Sequence, residues 1–133
     1  MAKILVIDDE EHIREVLKQV LERAGYDVCC AADGKEGLEL LAKQGADLVI
    51  TDVIMPGIDG VATVQKIREK FLNTRIIVIS GGGNVAPQEY EPGAIATNAY
   101  LASARNAGAD RTMTKPFDRR ELIDAINELM KEE

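Results

Sequence analysis

Short apolar runs alternate with longer stretches of helical period along this 133-residue chain. The runs lie near 3–7, 26–30, 47–51, 75–80 and 110–114 and read as strands. Stretches near 10–24, 34–44, 60–71, 96–107 and 119–131 read as helices. In the first helix Ile13, Val16, Leu17, Val20, Leu21 and Ala24 form one stripe, and Leu122, Ile123, Ile126, Leu129 and Met130 do so in the last. Gly25, Gly45 and Gly108 follow helical stretches, where a left-handed backbone favours glycine. Asp59 and Asp118 precede helices as N-caps. Glu121, three residues after Asp118, completes the spacing of a capping box with Asp in place of Ser or Thr.

Such βα repetition predicts an α/β domain: a parallel sheet with helices on both faces and right-handed crossovers. Five strands in this length suit a flavodoxin-like sheet of order 2-1-3-4-5, and the length suits one domain, 1–133. In that order strands 1 and 3 are neighbours. Asp8 and Asp9, which end the run Ile4-Leu5-Val6-Ile7, then converge with Asp52, which ends Leu48-Val49-Ile50-Thr51. Lys115 falls on the same rim after strand 5. Carboxyl ends of strands are where open α/β sheets bind ligands. One stretch breaks the rhythm: 81–95, with Gly81-Gly82-Gly83, Pro87 and Pro92, is too long for an ordinary connection and reads as an extended loop between strand 4 and helix 4.

Composition narrows the class. Tryptophan is absent and aromatics make up 4%, so the core is aliphatic. With 23 acids against 16 bases the net charge is −7, which argues against a surface that tracks nucleic-acid phosphates or an anionic membrane. No apolar stretch approaches a membrane span, and Met1-Ala2-Lys3 runs into a strand without a secretory signal; a cytoplasmic protein is the expectation. Cys29 and Cys30 are strand neighbours that point to opposite faces, so they read as small half-buried hydrophobes rather than a bridge. His12, the single histidine, reads as an exposed helix residue.

Three carboxylates on one rim repel unless cations share the space. Mg2+ takes octahedral oxygen ligands, commonly one or two carboxylates plus phosphate, and Asp8, Asp9 and Asp52 offer that chemistry. The alternative for Asp9, Glu10 and Glu11 is favourable charge at a helix N-terminus. Asp52 is either a ligand or a nucleophile, since carboxylates do attack phosphorus to give aspartyl phosphates. A metal and a lysine would neutralise the incoming phosphoryl oxygens, and Lys115 has the reach. Ser80 either donates to a phosphoryl oxygen or caps the turn into Gly81; Gly81, without a side chain, leaves a path for a small phosphodonor.

Asp8-Asp9, Asp52 with Met55-Pro56-Gly57 and Asp59-Gly60, Ser80-Gly81, and Lys115-Pro116-Phe117 together resemble the receiver domain of bacterial response regulators, from strand 1 to the last helix. Arg14, in Asp8-Asp-Glu-Glu-His-Ile-Arg14, also resembles that family's first helix. The resemblance implies a CheY-like fold and a phosphorylation switch of a two-component system. Asp52 would accept a phosphoryl group from a sensor histidine kinase or histidine phosphotransfer protein. Asp8, Asp9, Asp52 and the backbone carbonyl of Ile54 would coordinate Mg2+, Lys115 would pair with Asp52 and then the phosphoryl group, Ser80 would report it, and the Lys115-Pro116 bond would be cis. A downstream effector would read the α4-β5-α5 face.

Departures from the family pattern shape further expectations. Thr112 stands where receivers commonly carry an aromatic switch, so an aromatic rotor is not expected there; Tyr90 and Tyr100 read as surface or packing residues. The 81–95 extension is expected to alter partner choice on that face. Ile54 and Gly82 cannot orient an attacking water through a side chain, so slow spontaneous hydrolysis is expected. A stand-alone receiver, with no nucleic-acid or membrane partner and no turnover activity, leads the reading. The competing readings are a Mg2+-dependent aspartyl phosphatase and a phosphorylation-independent interaction module.

Overall fold

In the computed structural model, residues 2–52, 60–81, 102–115 and 118–131 are described, without the side chains of 60, 80, 81 and 115. Five parallel strands, β1 (Lys3–Ile7), β2 (Asp27–Ala31), β3 (Leu48–Asp52), β4 (Arg75–Gly81) and β5 (Arg111–Lys115), form one sheet in the order β2-β1-β3-β4-β5. Helices α1 (Glu11–Arg23), α2 (Gly34–Gln44), α3 (Gly60–Lys70), α4 (the helical residues 102–107) and α5 (Arg119–Lys131) connect or follow them. The predicted order and element types hold. Four of the five strands reach one residue further than the periodicity indicates, because ladder pairing continues past the apolar runs. Gly81 thus pairs with Lys115, so β4 does not end at Ser80 as expected.

Strand alternation divides the core into two layers. Ile4, Val6, Leu48, Ile50, Ile77 and Ile79 face α1 and α5, where Leu17, Leu21, Leu122, Ala125, Ile126 and Leu129 cover them. Leu5, Ile7, Val49, Ile76 and Val78 face the other way, against Leu41 of α2, Val64 and Ile67 of α3, and Ala104 of α4. Being covered on both sides, the central strands are continuous apolar runs rather than alternating ones. The second layer depends on two glycines. A Cβ on Gly37 would run into Ile7, and one on Gly34 into Thr63, so α2 lies close on β1 and α3 because it lacks side chains there.

The helix ends are set by local chemistry. Asp33 caps α2, its Oδ1 accepting from the Glu36 N–H at 2.8 Å, while Glu36 Oε1 accepts from the Ala32 N–H at 2.6 Å. Asp118 Oδ1 accepts from the Glu121 N–H at 2.8 Å, as the spacing predicts. Asp59 lies outside the described residues. Gly25, Gly45 and Gly108 all take positive φ.

Gly108 matters most of the three. Its φ is +125°, and a Cβ there would lie 2.9 Å from Arg68 Cγ. Arg68 spans the end of α3 and the entry to β5: it donates to the Gly108 carbonyl from Nε (3.2 Å) and Nη2 (2.9 Å), to the Leu72 carbonyl (2.8 Å) and to Asp110 Oδ2 (2.9 Å). The same Asp110 oxygen accepts the Ile76 N–H at 2.8 Å, tying β5 to β4. Gly108→Ala therefore strains the backbone and displaces this guanidinium together. We expect a loss of about 2 kcal/mol in urea unfolding, within the range for backbone strain of this kind; an unchanged midpoint would show that the clamp adapts.

Candidate functional site

The carboxyl ends of β1 and β3 meet at one rim. Asp8 directly follows β1, and its N–H continues the ladder to the Ala31 carbonyl of β2 at 3.1 Å. Its Oδ1 accepts the Glu10 N–H at 2.9 Å, which turns the chain into α1. Its backbone carbonyl accepts from Arg14 Nη1 at 2.7 Å. Glu10 occupies the N-cap of α1 with no side-chain cap bond, and Glu11 stands in the first turn, where negative charge suits the helix dipole. Glu11 thus fits the helix-end reading of the acidic run, and Asp8, Asp9 and Glu10 bring carboxylate oxygens within 4.8 Å of one another.

Asp52 closes β3. Register pairs Ile7 with Thr51, which makes Asp8 and Asp52 the next residues along adjacent strands, with backbones about 5 Å apart. Asp8 continues the series Ile4, Val6 on β1, and Asp52 the series Leu48, Ile50 on β3, so both carboxylates rise on the α1/α5 side of the sheet. Both are buried, at 4% and 7% exposure, although Asp9 is exposed. Two buried carboxylates side by side are costly without compensating charge or hydrogen bonds, and a cation at this rim would lower that cost. The oxygen-only donor set, part buried and part open to solvent, fits a hard divalent ion such as Mg2+.

On the other side of Asp52 runs β4. Asp52 pairs with Ile79, which puts Ser80 one step further along the neighbouring strand, and Ser80 and Gly81 pair with Thr114 and Lys115 of β5. The backbone thus places Asp8, Asp52, Ser80, Gly81 and Lys115 at one edge, with Lys115 two strands across and two residues further along than Asp52, about 12 Å between backbones. The side chains of Ser80 and Lys115, together with Ile54, Gly82, Tyr90, Tyr100, Pro116 and most of the 81–95 extension, lie outside the described residues. Thr112, on β5, pairs with Val78 of β4 and is half-buried. His12 is exposed, as expected. At the opposite edge of the sheet a shallow pocket is lined by Asp47, Leu72, Asn73 and Arg75; Asp47 Oδ2 is occupied there by the Lys3 N–H at 2.8 Å.

The cysteines take no part in this rim. Both are free and half-buried on β2, one packed on each face. Burial pushes both thiols up; Lys3 opposes this at Cys29, and Lys18 and Arg14 oppose it at Cys30. Because the thiolate is the nucleophile, we expect native-state alkylation near pH 7.5 to be slower than in the urea-unfolded chain. The sign for stability follows: the folded chain keeps these protons longer, so stability falls as pH rises past the ordinary thiol range, about 8.5. Equal alkylation rates in the folded and unfolded chains would contradict this.

Residues 4–127 match the model of the response regulator receiver domain. The chain belongs to that family. It is 33% identical over 129 residues to the alkaline phosphatase synthesis transcriptional regulatory protein PhoP of Bacillus subtilis (strain 168), covering 97% of this chain and 48% of that protein. It is 40% identical over 120 residues to the uncharacterized transcriptional regulatory protein YrkP of the same organism, covering 90% of this chain and 46% of YrkP. The chain thus spans about half the length of the curated relatives it matches. Among solved structures it is similar to a response regulator receiver domain protein from Clostridium thermocellum, with a TM-score of 0.81, 32% identity, and coverage of 99% of this chain and 96% of that one. The fold is that of CheY-like receiver domains, in the order β2-β1-β3-β4-β5. Receiver domains of two-component response regulators are signalling switches rather than turnover enzymes, and they interact with histidine kinases. No helix among the described residues is long and apolar enough to cross a membrane.

Some features of this receiver were not legible in the chain. The Arg68 clamp, the Asp33–Glu36 cap and the bond from Arg14 to the Asp8 carbonyl were not anticipated. Asp33 with Glu36 three residues on carries the same spacing that singled out Asp118, so that signal was available.

Proposed function

We propose that this receiver is switched by phosphorylation of Asp52. The carrying observation is a buried carboxylate at the end of β3, next in register to buried Asp8 and beside the Asp8-Asp9-Glu10 cluster. One Asp52 oxygen attacks the phosphorus of a phosphohistidine on a sensor kinase or phosphotransfer protein. A P–O bond forms, the P–N bond breaks, and the imidazole nitrogen leaves with its electron pair and takes a proton. Asp8, Asp9, Asp52 and the Ile54 carbonyl are the groups that would hold Mg2+. When bound, Mg2+ supplies positive charge against the carboxylates and the phosphoryl oxygens.

Lys115 neutralises a further phosphoryl oxygen, Ser80 donates a hydrogen bond to it, and Gly81 leaves the approach open. The switched conformation is read on the α4-β5-α5 face by an effector protein, without an aromatic rotor at Thr112. Residues 1–133 form one receiver domain that acts in the cytoplasm, and the 81–95 extension tunes partner choice. Its aspartyl phosphate is formed once per cycle, not turned over as in a phosphatase.

Incubation with Mg2+ and a small phosphodonor, followed by intact mass measurement, tests this. The expected result is one added phosphoryl group, absent when the metal is chelated before the donor is added, with no continuing release of phosphate from a monoester. Steady monoester hydrolysis would favour an aspartyl phosphatase; no mass gain with any donor would leave a phosphorylation-independent module.

A further inference from the structure

We propose that Arg14 is a positioning residue for the acid cluster: it fixes the Asp8–Asp9 peptide so that both carboxylates are presented to the cation. This rests on the reading of the rim as a Mg2+ site. Arg14 lies in the first turns of α1, and helical side chains lean toward the helix N-terminus, which brings its half-buried guanidinium back over the turn from β1. Nη1 meets the Asp8 carbonyl at 2.7 Å, a short charge-assisted bond. Asp8 is then held at three points: its N–H on Ala31, its Oδ1 under the Glu10 N–H and its carbonyl under Arg14. The Asp8 carbonyl and the Asp9 N–H share one rigid peptide plane. Fixing that oxygen therefore fixes where the Asp9 backbone starts as well as where that of Asp8 ends. The bond uses a backbone acceptor, so the positive charge sits beside the cluster without occupying a carboxylate oxygen in that contact.

The proposal has a sign that simpler accounts lack. If Arg14 acted only as a nearby charge, removing it would tighten Mg2+ binding, because one cation repelling another would be gone. If it only supported the fold, removal would lower the melting temperature and leave Mg2+ affinity unchanged. A partner that orients metal ligands typically contributes about tenfold or more to affinity. The test is Mg2+ titration of the full chain without phosphodonor, followed by amide shifts in isotope-labelled wild type, Arg14→Met and Arg14→Lys. Arg14→Met keeps the apolar stem but no donor, and its apparent Kd is expected to rise about tenfold. Arg14→Lys restores charge and a donor but not the planar guanidinium fork, so its Kd should lie between those of wild type and Arg14→Met, and it covers the case in which the Met variant does not fold. Weaker binding in whichever variant folds supports positioning; affinity equal to or tighter than wild type in every folded variant overturns it. Wild type that shows no Mg2+ shifts at all overturns the reading of the rim itself, so the two failures are distinguishable.

Discussion

Asp52→Asn is expected to abolish phosphoryl labelling while leaving the fold in place. The side chain keeps its size, and β3 is held through its backbone: it lies between β1 and β4, with Asp52 itself in register with Ile79. The Thr51 hydroxyl donates to the Asp52 carbonyl at 3.1 Å, a backbone contact that the substitution does not touch. What disappears is the nucleophile. An amide oxygen carries no formal charge and does not form a stable acyl phosphate, so the predicted effect is complete loss of the added mass rather than a slower rate. Asp47→Asn is the matched control. Asp47 lies at the amino-terminal edge of the sheet, bonded to the Lys3 N–H, and its substitution should leave labelling at the wild-type level. Circular dichroism and urea unfolding of Asp52→Asn should stay close to wild type. Residual labelling in Asp52→Asn would move the phosphoacceptor to another carboxylate, with Asp8 and Asp9 the first to examine.

Most of what positions this site was readable from local pattern. Apolar runs ending in Asp8 and Asp52 needed only the sheet order to bring them together, and that order follows from βα repetition in a short chain. The strand limits were one residue short at Asp52 and Lys115, because a polar or charged residue at the end of a ladder still pairs through its backbone even though its side chain reads as loop. What stayed hidden has a common physical character. Arg68 reaches Gly108 and Asp110 across 40 and 42 positions of chain, and Gly34 meets Thr63 between two helices. Such contacts depend on three-dimensional closeness that no period encodes. Arg14 shows the intermediate case: its resemblance to the family's first helix flagged it, but only the geometry assigned it a partner, the Asp8 carbonyl.

Asp8→Asn is expected to trade function for stability. The oxygens of Asp8, Asp9 and Glu10 lie within 4.8 Å of one another. At that separation two unit charges repel by about 3 kcal/mol at an effective dielectric of 20, and by less where Asp9 is open to solvent. Asparagine keeps an oxygen to accept the Glu10 N–H, so the turn into α1 survives while one charge is removed. The metal-free variant should therefore be at least as stable as wild type, by about 1 kcal/mol at low salt once solvent screening is allowed for. Added Mg2+ should then separate the two proteins. A ligand that binds only the folded state stabilises it by RT ln(1 + [L]/Kd), about 1.4 kcal/mol at ten times Kd. Wild type should gain this amount in urea unfolding as Mg2+ is raised, whereas Asp8→Asn, with a ligand oxygen weakened from carboxylate to amide, should gain little over the same range. Phosphoryl labelling should fall in parallel, because the charge that offsets the incoming phosphoryl oxygens is no longer held. An equal Mg2+ response in the two proteins would remove Asp8 from the metal site; a metal-free variant markedly less stable than wild type would show that Asp8 supports the fold more than its crowded charge opposes it.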